Sequence, residues 1–547
     1  MAPLTSAIHA SKVYDLMVVG GGINGAGIAR DASERGISVL LVDQGDFGSG
    51  TSAYSTRLIH GGLRYLEHYD IPLVKEALTE RNLLLTNASH RVHPLLFGIP
   101  TYNTKGSRPQ WLIRLGVWAY EALAYWGGEH SALPPSKGYS AKGFLSQFPG
   151  VKAQNLKGGI TYSDAQVELP ERLCLETVLA AEAAGATVRN YTKATQIKIE
   201  NQQASEVSLR DCLTGEQTIA RARVIVNASG PWVDNVLALA KPIFPKLMGG
   251  TKGTHLVVAP FPGAPHHALY VEATDGRPYF IIPWLGNYLI GTTDIPYSGS
   301  LDSVEPSEGE IEYLLNETNR VIPKAYLQRH QVLYAYAGVR PLPASNAATP
   351  AAISRRHQLR SHEDEGVENL FSVVGGKLTT FRQLAEEVVT TLNNRYRWVQ
   401  SVCTTRHKPL PGAWKGSFPQ AKKREAEALF YGVSQETVAH LMRLYGERYS
   451  EVLQLTRENP DWKALIQQGY PDIQAQVVHA VRYEHARTVD DFLRRRSLWG
   501  LQAGNGVGVV SSIAQQMGAL LGWSPKQVNQ AADDYQEMVR RLFKPLP

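Results

Sequence analysis

The chain has few of the residues that would make it a disulfide scaffold, a zinc protein or a membrane-spanning protein. Its 547 residues include three cysteines, Cys174, Cys212 and Cys403. They are far apart, odd in number and without metal-ligand spacing, which argues against a disulfide framework or a metal site and for a reducing compartment. No stretch approaches the roughly 20 consecutive apolar residues of a spanning helix. The opening MAPLTSAIHASKVYDL has neither a charged leader nor a continuous apolar run, so no secretory signal is expected. Charge of one sign is also scarce. The 56 basic and 50 acidic residues leave +6, which suits phosphorylated small molecules or an anionic membrane surface and does not call for nucleic acid.

What remains is ordinary globular material, 43% hydrophobic and 19% charged, in a chain long enough for two or three domains. The first informative stretch is YDLMVVGGGINGAGIARDASERGISVLLVD, from Tyr14 to Asp43. It reads as strand, glycine turn, helix, strand and acid. Gly20 permits a tight turn, Gly22 lets backbone approach a pyrophosphate, and Gly25 lets the helix pack on the strand. The helix N-terminus, with Asn24, would face phosphates, and Asp43 stands where a ribose would be bound. The following QGDFGSGTSAYSTRLIHGG is small, polar and glycine-rich, which favours an extended FAD over NAD.

These motifs, with the later KGTHLVV, YAGVRPL and VVGGKLTTFRQLAEE, resemble the FAD-dependent glycerol-3-phosphate dehydrogenases, the respiratory, quinone-linked enzymes of glycerol catabolism. The likeness runs from about Tyr14 to about Arg382. It implies oxidation of sn-glycerol 3-phosphate to dihydroxyacetone phosphate, with hydride passing to a noncovalent FAD and electrons then to a membrane quinone. It also implies a cytoplasmic protein held peripherally on the inner face of the cytoplasmic membrane, and leaves a homodimer open. The alternatives are an oxygen-using glycerophosphate oxidase of the same fold and, further off, an FAD-dependent tRNA-modifying or RNA-binding protein.

The resemblance supplies the candidate site. His255 and Arg340 are the catalytic candidates, and Arg64, Tyr65, Arg355 and Lys377 the substrate-binding ones. A phosphate dianion and a developing alkoxide call for several cations, and imidazole has the pKa of a general base. His255 is therefore read as the base and Arg340 as an electrostatic stabiliser. Cofactor contacts are expected from Gly20, Gly22, Asn24, Gly25 and Asp43, and from Thr51, Ser52, Ser55, His60, Gly61 and Gly62 in the following loop. Ser229 and Gly230 in VIVNASGPWVD, and Gly376, Leu378 and Thr379 in GGKLTT, complete the set.

The expected fold class is α/β: a discontinuous FAD-binding Rossmann-like domain, an antiparallel-sheet substrate domain and a C-terminal all-helical domain. FAD-binding parts are expected over 1–100, 151–245 and 336–400, a helical insertion over 101–150, the substrate sheet over 246–335 and the helical domain over 401–547. Two stretches admit two readings. RPQWLIRLGVWAYEALAYW, from Arg108 to Trp126, reads as a core helix or an interfacial membrane helix. The charges Glu484, Arg487, Asp490, Asp491, Arg494, Arg495 and Arg496 read as a solvated, ion-paired face rather than a partner site.

Overall fold

The computed structural model describes residues 8, 11–63, 70–103, 109–126, 133–240, 243–345, 356–416 and 421–543. Two sheets and a helical C-terminal region organise them. The first sheet has a parallel core in the order Val367–Val374, Gln217–Asn227, Val13–Val19, Val39–Val42 and Thr187–Arg189. These strands carry Val, Leu and Ile on both faces, as strands covered on two sides must. One covering layer is the helix Ile23–Glu34, packed between Pro170–Ala183 and Phe381–Tyr396.

The second sheet is larger and mostly antiparallel. Thr251–Val258 pairs with Val332–Arg340 on one side and Asn287–Gly291 on the other. Within the sheet expected over 246–335, hairpins turn at Asp275-Gly276 and Gly286-Asn287, with Gly276 and Gly286 both near φ 80° (78° and 80°). That conformation costs glycine little and other residues much.

Sheet membership cuts across the expected boundaries. Leu58–Ile59, Val92–Tyr102, Leu156–Val167 and Val332–Arg340 all belong to the second sheet, although three of these strands fall largely in segments expected to bind FAD. Val92–Tyr102 and Leu156–Val167 pair along almost their whole length, so the chain crosses between the two layers more often than local patterning reveals. The 101–150 stretch holds the helices Gln110–Trp126 and Ala141–Gln147, but also a short strand, Lys137–Ser140.

From Ala421 onward the described elements are helical. Ser434 caps Gln435–Tyr445 by accepting from Thr437 N–H, and Gly446 ends that helix at φ 59°. The charge cluster in this region is not a solvated face. Glu484, Asp491, Arg494, Arg495 and Arg496 are buried, and Arg495 and Arg496 both reach Asp46 in the loop after the second strand. Arg172, on the helix behind the first sheet, makes a two-pronged pair with Glu484 at 2.8 and 2.9 Å. Arg495 also pairs locally with Asp490 and Asp491, but the solvated reading fails because the partners that bury the cluster, Asp46 and Arg172, lie hundreds of residues away.

Candidate active site

The glycine turn is built as its spacing requires. A Cβ on Gly20, which has φ +112°, would lie 2.7 Å from Ala228 O, and one on Gly25 would lie 1.9 Å from Gly20 O. On Gly22 it would meet only Ser52 Oγ, at 3.5 Å. Gly20 and Gly25 are thus fixed by packing, while Gly22 leaves the helix end open. Gly22 is also the N-cap and makes no side-chain cap. The first-turn N–H groups therefore suit an anion, Ser52 Oγ taking only that of Ile23 at 3.0 Å. The open helix end fits the pyrophosphate of a dinucleotide, and Asn24 Oδ1, buried beside this turn without a hydrogen-bond partner, would accept from a hydroxyl of the same cofactor.

Asp43 closes the cradle. Its carboxylate accepts from Gly21 N–H at 2.6 Å and Gly45 N–H at 2.8 Å, and burial raises its pKa to about 6 against those two bonds. Ser229 and Gly230 lie across the turn, which Asn227 braces by accepting from Ser229 Oγ at 2.6 Å and donating to Val233 O at 2.9 Å.

One loop, Thr51 to Gly61, ties this cradle to the remaining candidates. Thr51 Oγ1 donates to Val339 O at 2.7 Å, beside Arg340. Thr56 Oγ1 is 3.0 Å from His255 Nε2. His60 N–H donates to Thr379 Oγ1 at 3.1 Å, two residues past Lys377. Ser55 Oγ accepts from Arg57 N–H, and Tyr336 OH donates to Ser55 O. The His60 ring meets the edge of Phe280, and Leu378 and Gly376 flank the same turn, with Gly376 against Asn24. Gly61 has a packing explanation: its Cβ would lie 2.7 Å from both Leu78 and the Tyr120 hydroxyl. Gly62 has φ 77°.

His255 is only 2% exposed. Its ring stacks on Tyr336 at 4.9 Å and lies over Gly291, where a Cβ would come within 2.6 Å of it. Burial first, then the Arg340 and Arg57 charges, push its pKa well below the usual 6.5, so the imidazole is neutral at pH 7. Its Nδ1 is buried without a hydrogen-bond partner.

Arg340 lies over Gly253 on the same strand face as His255, a Cβ there falling 2.5 Å from Nη2. It donates to Asp294 Oδ1 at 2.9 Å, Thr293 O at 3.0 Å and Thr292 Oγ1 at 3.1 Å. Beside it opens a cavity of about 310 Å³ lined by Pro231, Lys246, Met248 and Tyr297. Lys377 is half-buried on the turn before Phe381–Tyr396. Arg64, Tyr65 and Arg355 lie outside the described residues. Sequence reasoning missed Thr56, Asp294 and Tyr336, although Thr56 stands in TSAYSTRLIHGG and Tyr336 opens YAGVRPL. The best signal for Thr56 was its place in the small-polar loop.

Comparison with known proteins agrees with this geometry. Residues 15–381 match the model of the FAD-dependent oxidoreductases, and 403–528 that of the C-terminal domain of alpha-glycerophosphate oxidase. A glycerol-3-phosphate dehydrogenase of Synechocystis is 44% identical over 97% of both chains. The chain belongs to the FAD-dependent glycerol-3-phosphate dehydrogenase family. Within this family of FAD enzymes, the solved glycerol-3-phosphate dehydrogenase of Bacillus halodurans, complexed with FAD, superposes with a TM-score of 0.79 at 26% identity, covering 97% of this chain and 96% of the other. A D-erythritol 1-phosphate dehydrogenase of Brucella abortus is 38% identical, covering 89% of this dehydrogenase and 94% of the relative. The expected three-part fold, the enzyme class and the FAD dependence are thereby established.

Proposed function

We propose that the protein oxidises sn-glycerol 3-phosphate to dihydroxyacetone phosphate and passes the electrons to a membrane quinone. The observation carrying this reading is the Thr51–Gly61 loop, which bonds to the pyrophosphate cradle, to His255, to the strand of Arg340 and to the turn of Lys377. FAD, when bound noncovalently, supplies a two-electron acceptor for the substrate hydride. With Gly20 and Gly25 shaping the turn, the helix N-terminus opened by Gly22 would hold its pyrophosphate, Asn24 and Asp43 would accept from its hydroxyls, and the Ser229–Gly230 and Gly376–Thr379 turns would frame the rest.

The protein's own residues then divide the work. Lys377, with Arg64, Tyr65 and Arg355, takes the phosphate. Arg340, fixed by Asp294, stabilises negative charge developing on the reacting oxygen. His255, held neutral, takes the hydroxyl proton through Thr56: the substrate hydroxyl gives its proton to Thr56 Oγ1 as Thr56 gives its own to Nε2. The sheet around His255 keeps bulk water from the imidazole.

Anaerobic titration of the holoprotein with glycerol 3-phosphate tests the reaction, with bleaching of the flavin band expected. An unchanged spectrum would refute it. D-erythritol 1-phosphate belongs in the same titration because of the Brucella relative, and should bleach the band less efficiently. The match to a glycerophosphate oxidase domain supports a second reading, with oxygen as acceptor. Peroxide yield against ubiquinone reduction separates the two.

The membrane contact is assigned to Gln110–Trp126. Trp111, Leu115, Trp118 and Tyr125 form one helical stripe and are 67, 53, 63 and 67% exposed, whereas Val117 and Tyr120 face the core. No helix among the described residues is long and apolar enough to cross a membrane. Such a stripe suits the headgroup layer. Flotation with anionic liposomes should be lost on replacing Trp111 and Trp118 by serine; undiminished flotation would dismiss this contact.

A further inference from the structure

Loop 43–48 wraps the glycine turn of the dinucleotide cradle and touches it at both ends. Gly21 N–H donates to the Asp43 carboxylate at 2.6 Å, and Gly48 N–H donates to Gly21 O at 3.0 Å. Between these bonds Phe47 is fully buried against the turn, where a Cβ on Gly21 would fall 2.6 Å from Phe47 Cδ1. The neighbouring Asp46 gives its carboxylate to the helical region. It accepts from Arg495 and Arg496 of the helical turn Phe492–Arg496, Arg496 Nη2 donating to Oδ1 at 2.9 Å, and Asn190 Nδ2 donates to the same oxygen at 3.0 Å. Phe47 has a partner from that region too. The His485 ring meets it edge-on, 5.9 Å between centroids with the planes at 87°. His485 is itself pinned, Nε2 lying 2.9 Å from Glu182 Oε2 and its carbonyl accepting from Asn190 Nδ2 at 2.8 Å. Its φ of 56° is one that few residues other than glycine adopt.

We infer that the helical region is a working part of the FAD site: Arg495, Arg496 and His485 are positioning residues that hold loop 43–48 against the glycine turn, and their grip sets how firmly FAD is retained. This rests on the reading of turn 20–25 as the pyrophosphate site and is independent of the substrate. The loop does not keep this shape on its own account. A buried carboxylate deprived of its cations carries a desolvation cost that turning to water removes. Once Asp46 turns outward, the adjacent Phe47 loses its seat, and the bonds from Gly21 to Asp43 and from Gly48 to Gly21 lose their support. FAD and the helical region thus act on one loop. The coupling is reciprocal: a docked region tightens FAD binding, and bound FAD strengthens docking by the same factor.

The test is the release of FAD from diluted holoenzyme, followed by the fluorescence of the freed flavin. His485→Asn removes the ring edge from Phe47 with a residue that tolerates the positive φ, and Arg495→Lys keeps a cation at Asp46 without the fork of donors. Each should release FAD severalfold faster than the native protein. Val438→Ala, in a core separate from that of Phe47, should lower the unfolding midpoint and leave FAD release unchanged. Native release rates in both positioning variants, or release that simply follows the unfolding midpoint across all three, would overturn the inference. Hydrogen exchange of the native protein needs no variant. On dilution from saturating FAD to a concentration at which FAD leaves, amides of 485–496 should exchange faster while those of Gln435–Tyr445 should not. Unchanged exchange in 485–496, or the same gain in both segments, would overturn the inference. Gly22→Val separates two failures. A Cβ there meets only Ser52 Oγ, so the variant puts a side chain in the place of the pyrophosphate and should lose FAD. If it retains FAD, the cradle reading fails and this inference with it. If it loses FAD while His485→Asn and Arg495→Lys hold it as the native protein does, only the role of the helical region fails.

Discussion

Arg340 and Arg496 each face an aspartate, in surroundings that give the pairs different work. Arg340 and Asp294 keep 19 and 15% of their side-chain surface exposed, beside a cavity. Arg496 and Asp46 expose none, and Arg495 and Asn190 also donate to Asp46. A half-buried pair can exchange partners with a ligand at little cost. A sealed one cannot lose a member without leaving a charge stranded in low dielectric. The first is therefore suited to the role in the reaction that we propose for it, while the second fastens the helical region to the loop that follows Asp43.

The strongest way to break this contrast is Asp46→Ala, which strands two buried guanidinium groups and should cost about 3–5 kcal/mol in denaturant unfolding. An unchanged midpoint would mean the junction is dispensable. The pH dependence has a definite sign. Burial alone would raise the Asp46 pKa, but Arg496 and Arg495 more than reverse this and bring it from 3.8 to about 2. Its contribution is present above pH 4 and lost as pH falls toward 2, so the variant should lack that part of the acid transition.

At the site the effects should appear in rate rather than stability. His255→Asn should slow anaerobic flavin reduction by roughly 10²-fold, the lower range for a general base. Because the imidazole pKa is held well below 6.5, the reduction rate at saturating substrate should not fall between pH 8 and pH 6 through protonation of His255. A rate loss centred on pH 6.5 would remove it from the role. Thr56→Val should slow reduction about as much as His255→Asn, roughly 10²-fold, since His255 stays in place but loses the hydroxyl that carries the proton to it. Arg340→Lys keeps the charge but loses the fork of donors to Asp294 and Thr292, and should lower kcat/KM about tenfold, or ~1.4 kcal/mol. Its unfolding midpoint should stay near the native value, in contrast to Asp46→Ala.

The dinucleotide cradle was legible because its requirements are local. Gly20, Gly22 and Gly25 lie within six residues, and each answers to a clash or an open approach that the turn itself creates. The helix ends at Ser434 and Gly446 answer to equally local requirements. The charges from Glu484 to Arg496 were read as solvated because sequence shows a charge without its surroundings. Their partners Asp46 and Arg172 are some 450 and 312 residues away, by the separations of Arg496 from Asp46 and Glu484 from Arg172. Val92–Tyr102 and Leu156–Val167 join the second sheet although they lie largely in segments expected to bind FAD, because an apolar run does not name the strand it will pair with.

The sequence by itself determined the strand–turn–helix cradle, the antiparallel hairpins, the helical C-terminal region and the family whose chemistry they serve, since these follow from short-range sterics and periodicity. Tertiary structure decided which polar groups meet. It set Thr56 against His255, Asp294 against Arg340 and Asp46 against two arginines, and it left the outer face of Gln110–Trp126 uncovered. Whether a charge is solvated, paired or poised to titrate depends on the dielectric and the partners around it, and folding alone supplies both.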